Sequence, residues 1–131
     1  MSAGAWIAVA AGGALGASAR HGVGRIALRA FGPDFPWATV IVNIAGSALM
    51  GLFIGALVAR SGAPETARAF FAVGFLGAFT TMSTFSLDVV TLFERKAYAA
   101  AGGYAALSLA GSVLGLVLGL AVARLIARSL A

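Results

Sequence analysis

Two long apolar runs constrain the fold of this chain more than any other feature of its sequence. Residues 37–59 and 97–123 contain no Asp, Glu, Lys or Arg, and each exceeds the about 20 residues with which a helix crosses the hydrocarbon core of a bilayer. Hydrophobic residues make up 61% of the 131 residues and charged residues only 10%, whereas soluble domains are roughly one quarter charged. A soluble core of this size cannot bury so much apolar surface. We therefore predict an all-α membrane protein.

The apolar runs and the turn signals between them divide the chain into four transmembrane helices. We place them at about residues 3–23, 36–59, 67–93 and 97–123, in one transmembrane domain covering residues 1–131. Pro36 and Pro64 suit first helical turns, and the acidic Glu65 that follows Pro64 is favourable near a helix N-terminus. The first helix has the weakest apolar signal because it is rich in Ala and Gly. The polar stretch 20–25 is interpreted as the start of its connection to the second helix.

The third helix is predicted to be broken, at about residues 77–83. Hydroxyl side chains compete with a helix for its backbone hydrogen bonds, and irregular backbone at membrane depth persists only where protein or water surrounds it. Five hydroxyls fall within seven residues here: Thr80, Thr81, Ser83, Thr84 and Ser86. The alternative is a tilted, unbroken helix whose hydroxyls bond back to its own turns.

The basic residues are almost evenly divided between the two sides of the membrane. With four spans, one side holds Arg20, Arg25, Arg29, Arg95 and Lys96, and the other holds Arg60, Arg68, Arg124 and Arg128. This balance gives the positive-inside rule little effect, so we expect dual topology and an antiparallel homodimer, the simplest closed assembly of two orientations. A single orientation is the alternative. The net charge of +5 is assigned to arginines that anchor helices at lipid headgroups, so we expect a lipid partner and no nucleic acid.

The membrane interior offers uncharged hydrogen-bond donors in place of carboxylates. Thr39 and Asn43 lie in the second helix, a stripe of Tyr104, Ser108 and Ser112 follows the fourth, and Arg20 can attract anions to a pathway mouth. Each has an alternative role, as an interhelical contact or a headgroup anchor. Cysteine is absent and there is one histidine, so a thiolate or histidine metal cluster is excluded and no catalytic constellation is present. We expect a donor-lined pathway for an anion or neutral solute, and no enzyme.

The segment GFLGAFTTMSTFS, residues 74–86, closely resembles the signature of the Fluc (CrcB) fluoride channels. Residues 13–20 and 37–47 resemble the first- and second-helix patterns of that family, and the hydroxyl stripe resembles its polar track. The resemblance implies a fluoride-selective channel of the plasma (inner) membrane, in which two antiparallel subunits with broken third helices form two pathways at their interface. Fluoride and a second copy of the chain are therefore the expected partners.

The resemblance also implies roles for individual residues. Backbone carbonyls of Gly77 and Thr80 from both subunits would hold a structural sodium ion, and Arg20 would lie in a vestibule. At Met82 the family usually has phenylalanine, and a thioether has no electropositive ring edge to face an anion. The residues expected to line the pore are Thr39, Asn43, Met82, Ser83, Thr84, Phe85, Tyr104, Ser108 and Ser112.

Two other classes of protein remain open at this point. A small dual-topology multidrug exporter has a similar length, but its cation chemistry requires a glutamate in the first helix, and the first glutamate here is Glu65. A non-transporting scaffold subunit is the second, and in that case Asn43→Ala would leave every transport assay unchanged.

Overall fold

The computed structural model describes residues 2–59 and 62–129, and every regular element in those ranges is helical. Five elements follow one another with short connections. They are α1 (Ala3–Phe31), α2 (Trp37–Ala59), α3 (residues 65–79), α4 (Met82–Glu94) and α5 (Tyr98–Ser129). Arg60, which was counted in the charge balance, and Ser61 lie outside the described residues.

The predicted ends of the first and last helices are wrong. Helix α1 continues through the stretch 20–25 to Phe31, because Arg, Ile, Ala and Leu there favour helix and the first residue with a positive φ is Gly32, at 75°. Helix α5 likewise passes residue 123 and ends at Ser129. The arginines at these ends therefore extend helices and do not mark connections.

Within the described residues, three helical segments are long and apolar enough to cross a membrane: Trp37–Ala59, Glu65–Glu94 and Tyr98–Ser129. The second of these comprises α3 and α4 together. Helix α1 is not among them, although its 29 residues would reach about 44 Å, because Gly and Arg residues dilute its apolar content. The chain is a multi-pass membrane protein, and the fourth span remains a prediction.

The third segment is broken at the predicted place. Thr80 and Thr81 are extended, with φ, ψ of −82°, 160° and −153°, 118°. Before the break, α3 widens into a π-helical stretch at Ala69–Leu76, a local irregularity that is frequent at functional sites. Helix α4 then begins at Met82, where the Thr81 hydroxyl accepts a hydrogen bond from the Thr84 N–H at 3.2 Å. The alternative of an unbroken helix is therefore wrong.

Glycines allow close contact between helices in two pairs. A Cβ at Gly51 would overlap the Leu116 carbonyl of α5, and one at Gly119 would overlap the Ala48 carbonyl of α2. Small residues let helix backbones approach in lipid, so these glycines form the contact face between α2 and α5. A second close contact of this kind joins α1 to α3, where Gly12 and Gly16 lie against the backbones of Phe70 and Phe75.

Candidate functional site

The break in the third segment borders a cavity of about 230 Å³ whose lining includes several polar side chains. Residues from α2, α4 and α5 meet there because the α2–α5 contact brings the hydroxyl stripe of α5 beside Thr80 and Thr81. The cavity unites five of the nine predicted pore residues. Its lining consists of Asn43, Ser47, Thr80, Thr81, Met82, Phe85, Ser108, Leu109 and Ser112.

A second polar cavity, of about 340 Å³, lies against the other side of the break. Arg20 borders it, and Thr81 lines both cavities. Two further predicted pore residues, Thr39 and Thr84, line this cavity, so the predicted pore residues divide between the two cavities. The lining consists of Ala17, Arg20, His21, Gly24, Ala38, Thr39, Val42, Thr81 and Thr84.

Asn43 binds the backbone of Thr81 with both ends of its side-chain amide. Its Nδ2 donates to the Thr81 carbonyl at 3.1 Å, and its Oδ1 accepts from the Thr81 N–H at 2.7 Å. An amide nitrogen has two N–H donors, so one remains for the cavity. The sequence left open whether Asn43 marks a pathway or a helix contact, and the structure shows that it makes a helix contact while lining a cavity.

The Thr80 carbonyl meets the guanidinium of Arg20, whose Nη1 donates to it at 3.4 Å. The Thr80 N–H and Oγ1 both donate to the Leu76 carbonyl, at 3.1 and 3.0 Å. Arg20 therefore contacts the break directly, which neither the headgroup-anchor nor the mouth interpretation had included.

The Thr81 hydroxyl connects the first turn of α4. It donates to Thr84 Oγ1 at 3.0 Å and lies 3.3 Å from Ser83 Oγ. Ser83 and Thr84 are exposed, and Ser83 does not belong to the lining of either cavity. Two predicted pore hydroxyls thus lie on the open surface of this copy.

Asp88 was missed as a site residue. Its Oδ2 accepts hydrogen bonds from Thr39 Oγ1 at 2.7 Å and from the Tyr104 hydroxyl at 2.9 Å. Tyr104 is fully buried, and its ring stacks on Phe85 at 5.4 Å between centroids. The one available signal was a carboxylate six residues after Met82 in an apolar helix, because such a group needs buried partners.

Ser108 contributes an unpartnered donor to the cavity at the break. Only 3% of the residue is exposed, and its Oγ has no hydrogen-bond partner within the described residues. A buried hydroxyl without a partner costs about 1–3 kcal/mol. A polar solute or water in the cavity would satisfy it.

The carbonyls at the end of α3 suit a small hard cation, which prefers oxygen ligands. In an unbroken helix the Thr81 N–H would bond to the Gly77 carbonyl, but here it bonds to Asn43. The break therefore releases the Gly77 oxygen from that bond, at the helix end where carbonyls carry partial negative charge. Two oxygens from one copy are too few for a cation, so Gly77 and Thr80 fit a sodium site only if a second copy adds its own.

These features define the class of the molecule: a small multi-pass membrane protein with donor-lined polar cavities on both sides of an interrupted helix. The model of the family described as CrcB-like protein, Camphor Resistance (CrcB), matches residues 7–120. The chain belongs to this family.

Relatives of known name are similar over most of the chain. A protein of Sphingopyxis alaskensis named Fluoride-specific ion channel FluC is 54% identical over 107 residues, covering 81% of this chain and 84% of the relative. Proteins of the same name from Mesorhizobium japonicum and Hyphomonas neptunium are 49% and 50% identical, covering 81% and 79% of this chain and 85% and 83% of the relatives.

Proposed function

We propose that this protein is a fluoride channel, through which fluoride leaves the cell passively. The observation that carries the proposal is the 54% identity to a relative named as fluoride-specific, over a stretch long enough to include the break. The chemistry of the site agrees, because uncharged donors surround the cavity and fluoride is a strong hydrogen-bond acceptor. A glutamate, on which a cation exporter would depend, is absent from residues 3–31.

The pathway would be completed by a second, antiparallel copy in the inner membrane. Exposed hydroxyls at Ser83 and Thr84 and the open cavity beside Thr80 would be costly against lipid, where polar groups find no partners. A second copy would cover these groups and, by two-fold symmetry, produce two equivalent pathways. The balance of basic residues supports both orientations, with α1 as the fourth span.

Within each pathway, side chains would replace the water around the ion. Arg20 would raise the local anion concentration in the cavity it borders, Asn43 and Ser108 would donate to the ion, and the ring edge of Phe85 would face it. The remaining hydroxyls of the two cavities would continue the path. The Gly77 and Thr80 carbonyls of both copies would hold a structural sodium ion between the subunits, which supplies a fixed positive charge there.

Fluoride efflux from proteoliposomes tests the proposal. Vesicles loaded with potassium fluoride are diluted into fluoride-free buffer with valinomycin, and a fluoride electrode follows release. We expect rapid efflux with the purified protein and background efflux with empty vesicles, while chloride-loaded vesicles stay at background. Background fluoride efflux, or binding of a lipophilic cation with proton release, would reject the channel.

A further inference from the structure

The two extended residues of the break have all their backbone polar groups paired within one copy of the chain. The Thr80 N–H bonds to Leu76 and the Thr80 carbonyl accepts from Arg20. Both groups of Thr81 bond to Asn43. Backbone at membrane depth requires such partners, and the Asn43 amide supplies two of the four.

Because the Thr81 N–H donates to Asn43, it does not bond to its usual partner in a helix. A continuous helix would direct that N–H to the Gly77 carbonyl, four residues earlier. The distance of 2.7 Å from the Thr81 nitrogen to Asn43 Oδ1 is at the short end for an N–H···O bond. The Asn43 side chain on α2 thus replaces a backbone hydrogen bond that a continuous third helix would make.

We propose that Asn43 is a positioning residue that keeps the third segment open by holding the peptide groups of Thr81. Through this bond it leaves the Gly77 carbonyl free of Thr81, so Asn43 acts on the carbonyl end of α3 as well as on the cavity. One N–H of Asn43 remains for a solute. Only that last point rests on the proposed fluoride pathway, because the hold on Thr81 exists without an ion.

Amide hydrogen exchange and carbonyl chemical shifts, measured by NMR on the full chain in lipid nanodiscs without fluoride, test the proposal. In Asn43→Ala we expect the Thr81 N–H either to exchange about tenfold faster or more, as for the loss of one buried hydrogen bond, or to move to Gly77 and shift its carbonyl resonance. Ser47→Ala is the matched control, because Ser47 lies one turn later on α2 and lines the same cavity. Unchanged Thr81 exchange together with an unchanged Gly77 shift in Asn43→Ala would overturn the proposal.

A second pair of variants keeps the test decisive if Asn43→Ala does not fold. Asn43→Asp retains an oxygen that can accept from the Thr81 N–H, whereas the shorter side chain of Asn43→Ser cannot reach it. We expect slow exchange of the Thr81 N–H in the aspartate variant and faster exchange in the serine variant. Equal exchange in both would contradict the proposed role of the bond between Asn43 and Thr81. Fluoride efflux of the unaltered chain is measured separately. If efflux is absent but these NMR results are obtained, the channel proposal is rejected and the proposed role of Asn43 stands.

Discussion

Met82, like Phe85 and Leu109, lines the cavity at the break with a side chain that donates no hydrogen bond. It is 65% exposed in one copy and starts α4 beside Asn43 and Ser108. Since those donors and Phe85 are unaffected by the thioether, we expect the chain to conduct fluoride with methionine in place.

Met82→Phe should therefore change the efflux rate by less than about tenfold, because one aromatic contact contributes about 0.5–1.5 kcal/mol. The fluoride electrode measures both rates from vesicles of equal protein content. Background efflux from the unaltered chain with rapid efflux from Met82→Phe would show that the methionine is disabling.

The Tyr104 hydroxyl stabilises the Asp88 carboxylate, and without it Thr39 would be the one side-chain donor to Asp88 among the described residues. Tyr104→Phe should lower stability by about 1.5–3 kcal/mol, the range for a hydrogen bond to a charged group. Thermal unfolding in detergent measures the change. Tyr98→Phe is the control, since Tyr98 is exposed, and an equal loss in both variants would show that the hydroxyl bond is unimportant.

The contact between α2 and α5 depends on the absence of a Cβ at Gly119. Gly119→Ala would place a methyl group against the Ala48 carbonyl, so we expect a loss of about 1–3 kcal/mol, as for overpacking. Gly103→Ala, on the same helix with open space around it, should be neutral or slightly stabilising because alanine favours helix. Thermal unfolding of the two variants compares them, and equal stability would remove the close contact as a source of stability.

The sequence predicted α2 and the break, because apolar runs and clustered hydroxyls act locally. It missed the ends of α1 and α5, since arginine marks a membrane interface and also favours helix. The predicted pore residues include five of the nine that line the cavity at the break, but their pairings were not predicted. Thr39 and Asp88 are 49 positions apart and Asn43 and Thr81 are 38 apart, and no local pattern links residues at such separations.

At the scale of the whole molecule, the near balance of basic residues predicts both orientations in one membrane. The chain has no cysteine, so Asp34→Cys in the exposed connection before α2 provides a single label, and acidic residues contribute little to orientation. In sealed vesicles an impermeant maleimide should label about half of the molecules, as dual topology requires, and all of them after permeabilisation. Labelling near zero or near completion before permeabilisation would establish a single orientation.

The internal pairing of Thr80 and Thr81 has a consequence for biogenesis. A newly synthesised chain can enter the lipid with the peptide groups of Thr80 and Thr81 already paired, because α1 and α2 are made first and carry Arg20 and Asn43. Each copy could then fold alone, and dimerisation would join two folded subunits without rearranging the break.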